Sequence, residues 1–238
     1  MAHIFAIIKK ELKNYFNSPL AYIFISIYLV VSSWLFFRSF FIQNQANMRS
    51  YFYLIPWLFL FLIPAITMRL WAEEKKSNTQ ELLFTWPIKD YEAILGKFLA
   101  SFIFLAITLS LSLTLPITIA NIGGLDWGIV IASYLGTLFL GAAFLAIGLY
   151  ISSLTDNQII AFILAVAISF VLFIIGENFV LYALPNFLIN FASYLGLGNH
   201  FASINRGVLD SRDIIYYLSI IGFFLYLNTR QIESRKWK

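Results

Sequence analysis

The side chains that could carry catalysis are few and lie far apart along the chain. The only histidines are His3 and His200, and there is no cysteine, so thiolate metal sites, cysteine nucleophiles and disulfides are excluded. Gly96-Lys97 lacks the upstream glycine of a phosphate-binding loop, and the hydrolase motifs Gly-x-Ser-x-Gly and His-Glu-x-x-His are absent. The sequence therefore predicts a chain that is not an enzyme, with no catalytic residue, no metal and no cofactor of its own.

The composition indicates that lipid is the solvent of most of this chain. Of its 238 residues, 61% are hydrophobic and 12% are charged, and the mean hydropathy is +0.82. A typical soluble domain is about half apolar and about one quarter charged. The net charge of +4 is modest, and no basic run is long enough to predict binding to nucleic acid. We therefore expect a multi-pass membrane protein that contacts lipid.

Six segments are predicted to cross the membrane, because each approaches the roughly 20 apolar residues that a helix needs to span the hydrocarbon layer. The predicted fold is an all-α membrane protein with an N-terminal amphipathic interfacial helix and short outer re-entrant helices between transmembrane helices 5 and 6. It forms one domain over residues 1–238. Its predicted parts are the amphipathic helix at 1–18, spans at 20–37, 50–69, 97–121, 127–154, 157–177 and 213–229, a loop at 70–96, and an outer interfacial segment at 178–212.

The placement of Lys and Arg predicts the orientation in the plasma (inner) membrane, because these residues favour the cytoplasmic ends of spans. A seventh span in the outer segment would carry the basic C-terminal tail to the outside, so both termini are predicted to be cytoplasmic. A cleaved signal peptide is the alternative at the N-terminus, but the apolar run is too long and lacks a cleavage pattern. Four basic residues are left on the outer side: Arg38, Arg49, Arg206 and Arg212.

The interiors of the predicted spans contain no ionisable side chain, whereas a proton- or ion-driven carrier usually needs one. Glu177 is the nearest exception, at the outer end of the fifth span. An interfacial residue that marks a helix end is the favoured interpretation, and a role in substrate handling is the alternative. Any uphill transport is therefore expected to draw its energy from another subunit.

Small side chains recur at every fourth position on the fourth and fifth spans. Such stripes let two helix backbones approach closely, either within one bundle or against a partner chain. Ordinary packing within the bundle is the favoured interpretation. The predicted packing positions are Gly128, Ala132, Gly136, Ala161, Ala165 and Ser169.

The loop at 70–96 is the most informative polar segment. A charged cluster is followed by a polar break at Ser77-Asn78, then by a predicted short helix at 79–84 that carries an apolar pair. A solvated loop would account for its charges but not for its apolar residues. We therefore predict that this short helix is a lever for a soluble partner.

These residues resemble the permease subunits of type-2 ABC transporters, in particular the branch of the gliding-motility-associated and nitrous-oxide-reductase-maturation permeases. The likeness extends along essentially the whole chain. Where the family usually has a glycine before the loop threonine, this chain has Asn78, which also tolerates turn conformations. The matching segments are Lys10-Glu11-Leu12, Met68-Arg69-Leu70, Ala72-Glu73-Glu74-Lys75, Thr79-x-Glu81-Leu82-Leu83, Thr85-x-Pro87, Gly96-Lys97 and Arg206-Gly207-Val208-Leu209-Asp210.

The resemblance implies a membrane subunit of an exporter that pairs with a second permease and binds an ABC-type ATPase. The ATP and magnesium would belong to that ATPase, and the lever at 70–96 would couple its cycle to transport. The coupling positions that the resemblance implies are Glu73, Glu74, Lys75, Thr79, Glu81, Leu82, Leu83, Thr85 and Pro87. Two other functions stay open: an ion-coupled secondary carrier, and a membrane anchor or assembly factor that transports nothing. The apolar interior identifies no particular substrate.

Overall fold

The computed structural model describes residues 2–43, 47–79 and 88–234, and all regular structure within these ranges is helical. We number the helices in chain order. They are α1 (Ala2–Asn17), α2 (Pro19–Gln43), α3 (Arg49–Thr67), α4 (Arg69–Lys76), α5 (Asp90–Leu111), α6 (Thr114–Ile122), α7 (Trp127–Leu154), α8 (Gln158–Ile174), α9 (Asn178–Leu181), α10 (Asn186–Leu195), α11 (Leu197–Ile204) and α12 (Ser211–Glu233).

The expectation of an all-α membrane protein agrees with this architecture. Within the described ranges, four helical stretches are long and apolar enough to cross a membrane: Pro19–Phe40, Arg49–Lys76, Asp90–Ile122 and Trp127–Leu154. Helix α8 is also apolar but shorter, with 17 residues, and α12 has 23 residues with charged groups near both ends. The presence of six membrane-spanning helices thus remains a prediction.

Helix α7 is the centre of the bundle, and small residues along it let its neighbours approach closely. Gly148 lies against the side chain of Thr67 at the end of α3, and Gly141 lies against Leu105 of α5. A Cβ atom at either glycine would overlap these side chains. Gly148 therefore positions α3, and with it the start of α4, against the C-terminal half of α7, and Gly141 lets α5 approach the middle of α7.

The predicted small-residue stripes have different surroundings. Gly136 packs against Ile204 of α11, whereas Gly128 is exposed in the first turn of α7, where its N–H donates to Asp126 Oδ1 at 2.9 Å. Ala132 of α7 is buried. The three positions on α8 are also buried: Ala161, Ala165 and Ser169.

The polar turn between α7 and α8 forms a helix cap. The Asn157 side-chain oxygen accepts a hydrogen bond from the backbone N–H of Ile159 at 2.9 Å, which satisfies a free donor in the first turn of α8. Helices α7 and α8, which this turn joins, also pack against each other.

Candidate functional site

Three helices meet at the ammonium group of Lys97. Its Nζ lies 3.0 Å from Glu11 Oε1 of α1 and 2.7 Å from Glu74 Oε1 of α4, and Lys97 itself is on α5. Only 1% of Lys97 is exposed. We call Glu11, Glu74 and Lys97 the Lys97 cluster, and it joins the N-terminal helix to the base of the predicted coupling lever.

The Lys97 cluster is neutralised by a fourth side chain. One ammonium faces two carboxylates, and Lys10 supplies the second positive charge, with its Nζ 3.5 Å from Glu74 Oε1 and 3.7 Å from Glu11 Oε1. Burying charge is costly unless it is paired. The pairing of both carboxylates is therefore what allows Lys97 to lie inside the fold.

An aromatic ring completes the surroundings of Lys97. Its Nζ lies 4.9 Å from the centroid of the Trp71 ring, and Trp71 is fully buried. A cation over an indole face is attracted by the ring quadrupole. Trp71 is on α4, so this contact is a second link between α4 and α5.

Helix α4 is also bound to the end of α7. The Ser152 Oγ accepts hydrogen bonds from the backbone N–H groups of Trp71 at 3.0 Å and Ala72 at 3.1 Å, and it donates to the Met68 carbonyl oxygen at 3.0 Å. These N–H groups belong to the first turn of α4, which has no side-chain cap of its own. Lys75 Nζ donates to the Ser153 carbonyl oxygen, so both ends of α4 contact α7.

Replacing Ser152 by alanine is expected to lower the free energy of unfolding by ~1–3 kcal/mol, because two buried donors lose their acceptor. Unfolding of the purified protein in detergent measures this. Ser219→Ala is the matched control, since its hydroxyl is exposed and donates only within α12. Equal stability of the two variants would contradict the capping role.

The residue after α4 has an unusual backbone conformation. Asn78 has a φ of 55°, in the left-handed region that asparagine tolerates better than most residues. Its N–H donates to the Lys75 carbonyl oxygen at 3.1 Å, and the hydroxyl oxygens of Ser77 and Thr79 are 2.9 Å apart. Asn78 thus adopts the turn conformation that was expected at this position of the loop.

The predicted lever is described only in part. Glu73 is exposed and pairs with Arg69, 2.9 Å from Oε2 to Nε, whereas Glu74 belongs to the buried Lys97 cluster. Lys75 binds α7, and Thr79 is exposed. The remaining predicted positions lie outside the described residues: Glu81, Leu82, Leu83, Thr85 and Pro87.

The roles of Glu11 and Lys97 were not predicted from the sequence. Lys97 was expected to be a basic residue at a cytoplasmic end of a span, but it is buried in the protein near the start of the helical stretch Asp90–Ile122. A signal was present in Glu11, which is an acid on the apolar side of an amphipathic helix and needs a partner there.

The packing of α1 reinforces this junction. The hydroxyl oxygens of Tyr15 and Ser101 are 2.9 Å apart, and the Tyr15 ring stacks on Phe104 with centroids 5.1 Å apart. Burial raises the pKa of the Tyr15 phenol well above its usual range, so Tyr15 stays neutral. Ile7 packs against Gly96, where a Cβ atom would lie 2.6 Å from the Ile7 side chain.

A second buried polar pair holds the opposite end of the bundle together. His200 of α11 lies between Asp213 and Tyr194: its Nδ1 is 2.7 Å from Asp213 Oδ1, and its Nε2–H donates to the Tyr194 carbonyl oxygen at 2.9 Å. The His200 ring also stacks on Tyr216 with centroids 3.8 Å apart. The sequence analysis considered His200 only as a catalytic candidate and missed this structural role.

Glu177 lies between α8 and the short helix α9. It is the residue that precedes α9, and its side-chain Oε1 lies near Gly198 of α11. This position is compatible with the predicted helix-end residue.

Comparison with known proteins identifies a family. The family model described as "ABC-2 family transporter protein" matches residues 6–227, which is most of the chain and includes the Lys97 cluster and the His200–Asp213 pair. Comparison with curated proteins gives no significant match.

Proposed function

This chain belongs to the ABC-2 transporter family, and from that premise we propose that residues 70–96 of this permease transmit the ATPase cycle of a partner subunit to the membrane helices. The family places the chain in the membrane as a multi-pass permease subunit and implies a partner ABC ATPase and a second permease. We further propose six spans, cytoplasmic termini and transport in the export direction.

The observation that supports this proposal most strongly is the way in which α4 is connected. Glu74 binds Lys97 of α5, which binds Glu11 of α1. Ser152 and Ser153 bind the other side of α4 to α7. A force applied to the residues that follow α4 would therefore move α1, α5 and α7 together, which is the requirement for a coupling element.

In the proposed cycle, ATP and magnesium bind to the partner ATPase, and its closure pushes on the lever. The residues that contact the ATPase would be the exposed Glu73 and the positions beyond α4. The Lys97 cluster would keep α4 attached to the bundle during the movement, since breaking it leaves buried charges unpaired. This chain itself would supply no chemical step in hydrolysis.

The proposed contact is tested by co-purification. Replacing Glu81, Leu82 and Leu83 together by alanine is expected to weaken binding of the ATPase by about tenfold or more, because apolar anchors dominate such interfaces. The ATPase retained by the tagged permease and its permease-dependent hydrolysis rate are measured. Glu73→Lys should lower the same rate without breaking the Lys97 cluster.

The matched control is Phe187→Ala with Phe191→Ala, an exposed apolar pair on α10, far along the chain from the lever. This control should retain the ATPase. If the lever variants bind the ATPase and stimulate it as well as the natural chain does, the coupling proposal is wrong.

The proposed orientation is tested by labelling, which the absence of cysteine makes unambiguous. A single cysteine at the exposed Asn190 of α10 should react with a membrane-impermeant maleimide in intact cells. A single cysteine at Ser77 should react only after the membrane is opened. The reverse pattern would place the Lys97 cluster on the outer side.

The buried Lys97 cluster also bears on the secondary carrier, because such carriers use buried ionisable groups. Its charges are mutually paired, which favours a structural role. Ion-driven transport by the purified chain without nucleotide would instead support the carrier.

A further inference from the structure

Two arginines line one cavity at the end of the bundle away from the Lys97 cluster. The cavity has a volume of about 640 Å³ and lies between the end of α2 and the start of α3. Arg38 and Arg49 line it together with the polar residues Ser39, Ser50 and Asn205. These two arginines are half of the four basic residues that the proposed orientation leaves outside.

Neither arginine has a carboxylate partner among the residues that the structure describes. Within the described part of the chain, Arg38 and Arg49 form no ion pair. The sequence contains no Asp or Glu between Glu11 and Glu73, so the whole α2–α3 hairpin and its connection carry no carboxylate. Arg49 is moreover the first residue of α3, where the helix dipole is unfavourable for a cation.

One part of the cavity wall is apolar and partly exposed. Leu35, Ile42, Tyr53 and Leu54 line it, and Ile42 and Tyr53 are 80% and 69% exposed. These side chains are at the end of two predicted spans, where lipid would surround them. The cavity thus combines uncompensated positive charge with an apolar surface of the kind that covers an acyl chain.

We propose that this cavity binds an anionic phospholipid of the outer leaflet, with its phosphate held by Arg38 and Arg49 and an acyl chain along Leu35, Ile42 and Leu54. Guanidinium groups suit phosphate oxygens because their N–H groups can donate in pairs. The apolar wall selects a phosphate attached to a lipid over a free anion. The choice of leaflet depends on the proposed orientation, whereas the binding itself does not depend on the transport function.

The test measures lipid retention by the full chain. The protein is purified in a mixture of phosphatidylglycerol and phosphatidylcholine with identical acyl chains, and bound lipid is counted by native mass spectrometry. Phosphatidylglycerol should be retained about tenfold or more over phosphatidylcholine, and Arg38→Gln with Arg49→Gln should remove this preference. Both arginines are exposed, so the variant should fold, and its melting temperature verifies this.

Arg212→Gln is the matched control, because Arg212 is also exposed and predicted to be on the outer side but does not line the cavity. It should retain the preference. Ile42→Gln should weaken retention of phosphatidylglycerol while leaving both arginines in place. Glycerol phosphate, the headgroup without acyl chains, should not displace the lipid at equal concentration.

Four results would overturn the proposal: equal retention of the two lipids, an unchanged preference in the double variant, displacement by glycerol phosphate, or a dimer that carries no lipid because a second copy covers the cavity. The measurement needs no ATPase. Its failure would leave the coupling proposal intact, and a failure of coupling would leave the lipid site intact.

Discussion

Replacing Lys97 by methionine is expected to lower the free energy of unfolding by about 3–5 kcal/mol. Methionine keeps the length of the side chain but removes the charge that pairs with both Glu11 and Glu74. The two carboxylates would then be close together with only the half-exposed Lys10 as a counter-ion. Unfolding in detergent, followed by helical circular dichroism, gives the measurement.

Two further variants distinguish a charge effect from a packing effect. Lys10→Met is the matched control and should cost less than about 1 kcal/mol, because an exposed ion pair contributes little. Glu11→Gln with Glu74→Gln in the Lys97→Met background should restore much of the stability, since no unpaired charge is left. A Lys97→Met protein as stable as Lys10→Met would show that the Lys97 cluster does not hold the helices together.

Replacing His200 by phenylalanine is expected to have an effect of similar size, about 3–5 kcal/mol. Phenylalanine preserves the stack on Tyr216 but removes both hydrogen bonds of the imidazole ring. Asp213 would then be a buried carboxylate without a partner, because its Oδ2 already has no hydrogen bond within the described residues. The Tyr194 carbonyl oxygen would lose its donor as well.

The loss of His200 should also loosen the packing of α10 against α11 and α12. Tyr217 still joins α12 to α11 through its hydroxyl, which donates to the Leu197 carbonyl oxygen at 2.9 Å. A single cysteine at the buried Ala192 of α10 reports the release through its rate of maleimide labelling, which should increase in His200→Phe.

A double variant isolates the contribution of the contact between His200 and Asp213 to stability. Adding Asp213→Leu to His200→Phe should recover part of the lost stability, because both partners of the pair are then apolar. If the two substitutions instead add without recovery, His200 and Asp213 do not interact in the folded protein.

Local sequence patterns were sufficient to predict the all-helical fold class and the polar breaks between helices. The long apolar runs predicted helices because a backbone in lipid must satisfy its hydrogen bonds within the segment. Asn78 in the polar break predicted a turn, because the preference of asparagine for turn conformations acts within a few residues.

The contacts that join α4 to the other helices could not be predicted in the same way. Glu11 and Lys97 are 86 positions apart, and Lys97 looked like one more basic residue near a membrane surface. Ser152 gave no signal as a cap for α4, because its partners are about 80 positions away. Such contacts depend on how α1, α4, α5 and α7 pack, which no local pattern of a single sequence encodes.

The sequence by itself indicated that lipid surrounds most of this chain and that candidate catalytic side chains are few. It also indicated that one loop between the apolar helices is unusually polar and charged. These properties follow from composition and short-range spacing, which fix solvent preference and helix formation. Only the tertiary structure decided that Lys97 joins α1 to α4, that Ser152 attaches α4 to α7, and that Arg38 and Arg49 share a cavity. The physical reason is that pairing of buried charge and closure of a cavity depend on distances across helices, and those distances exist only once the bundle has packed.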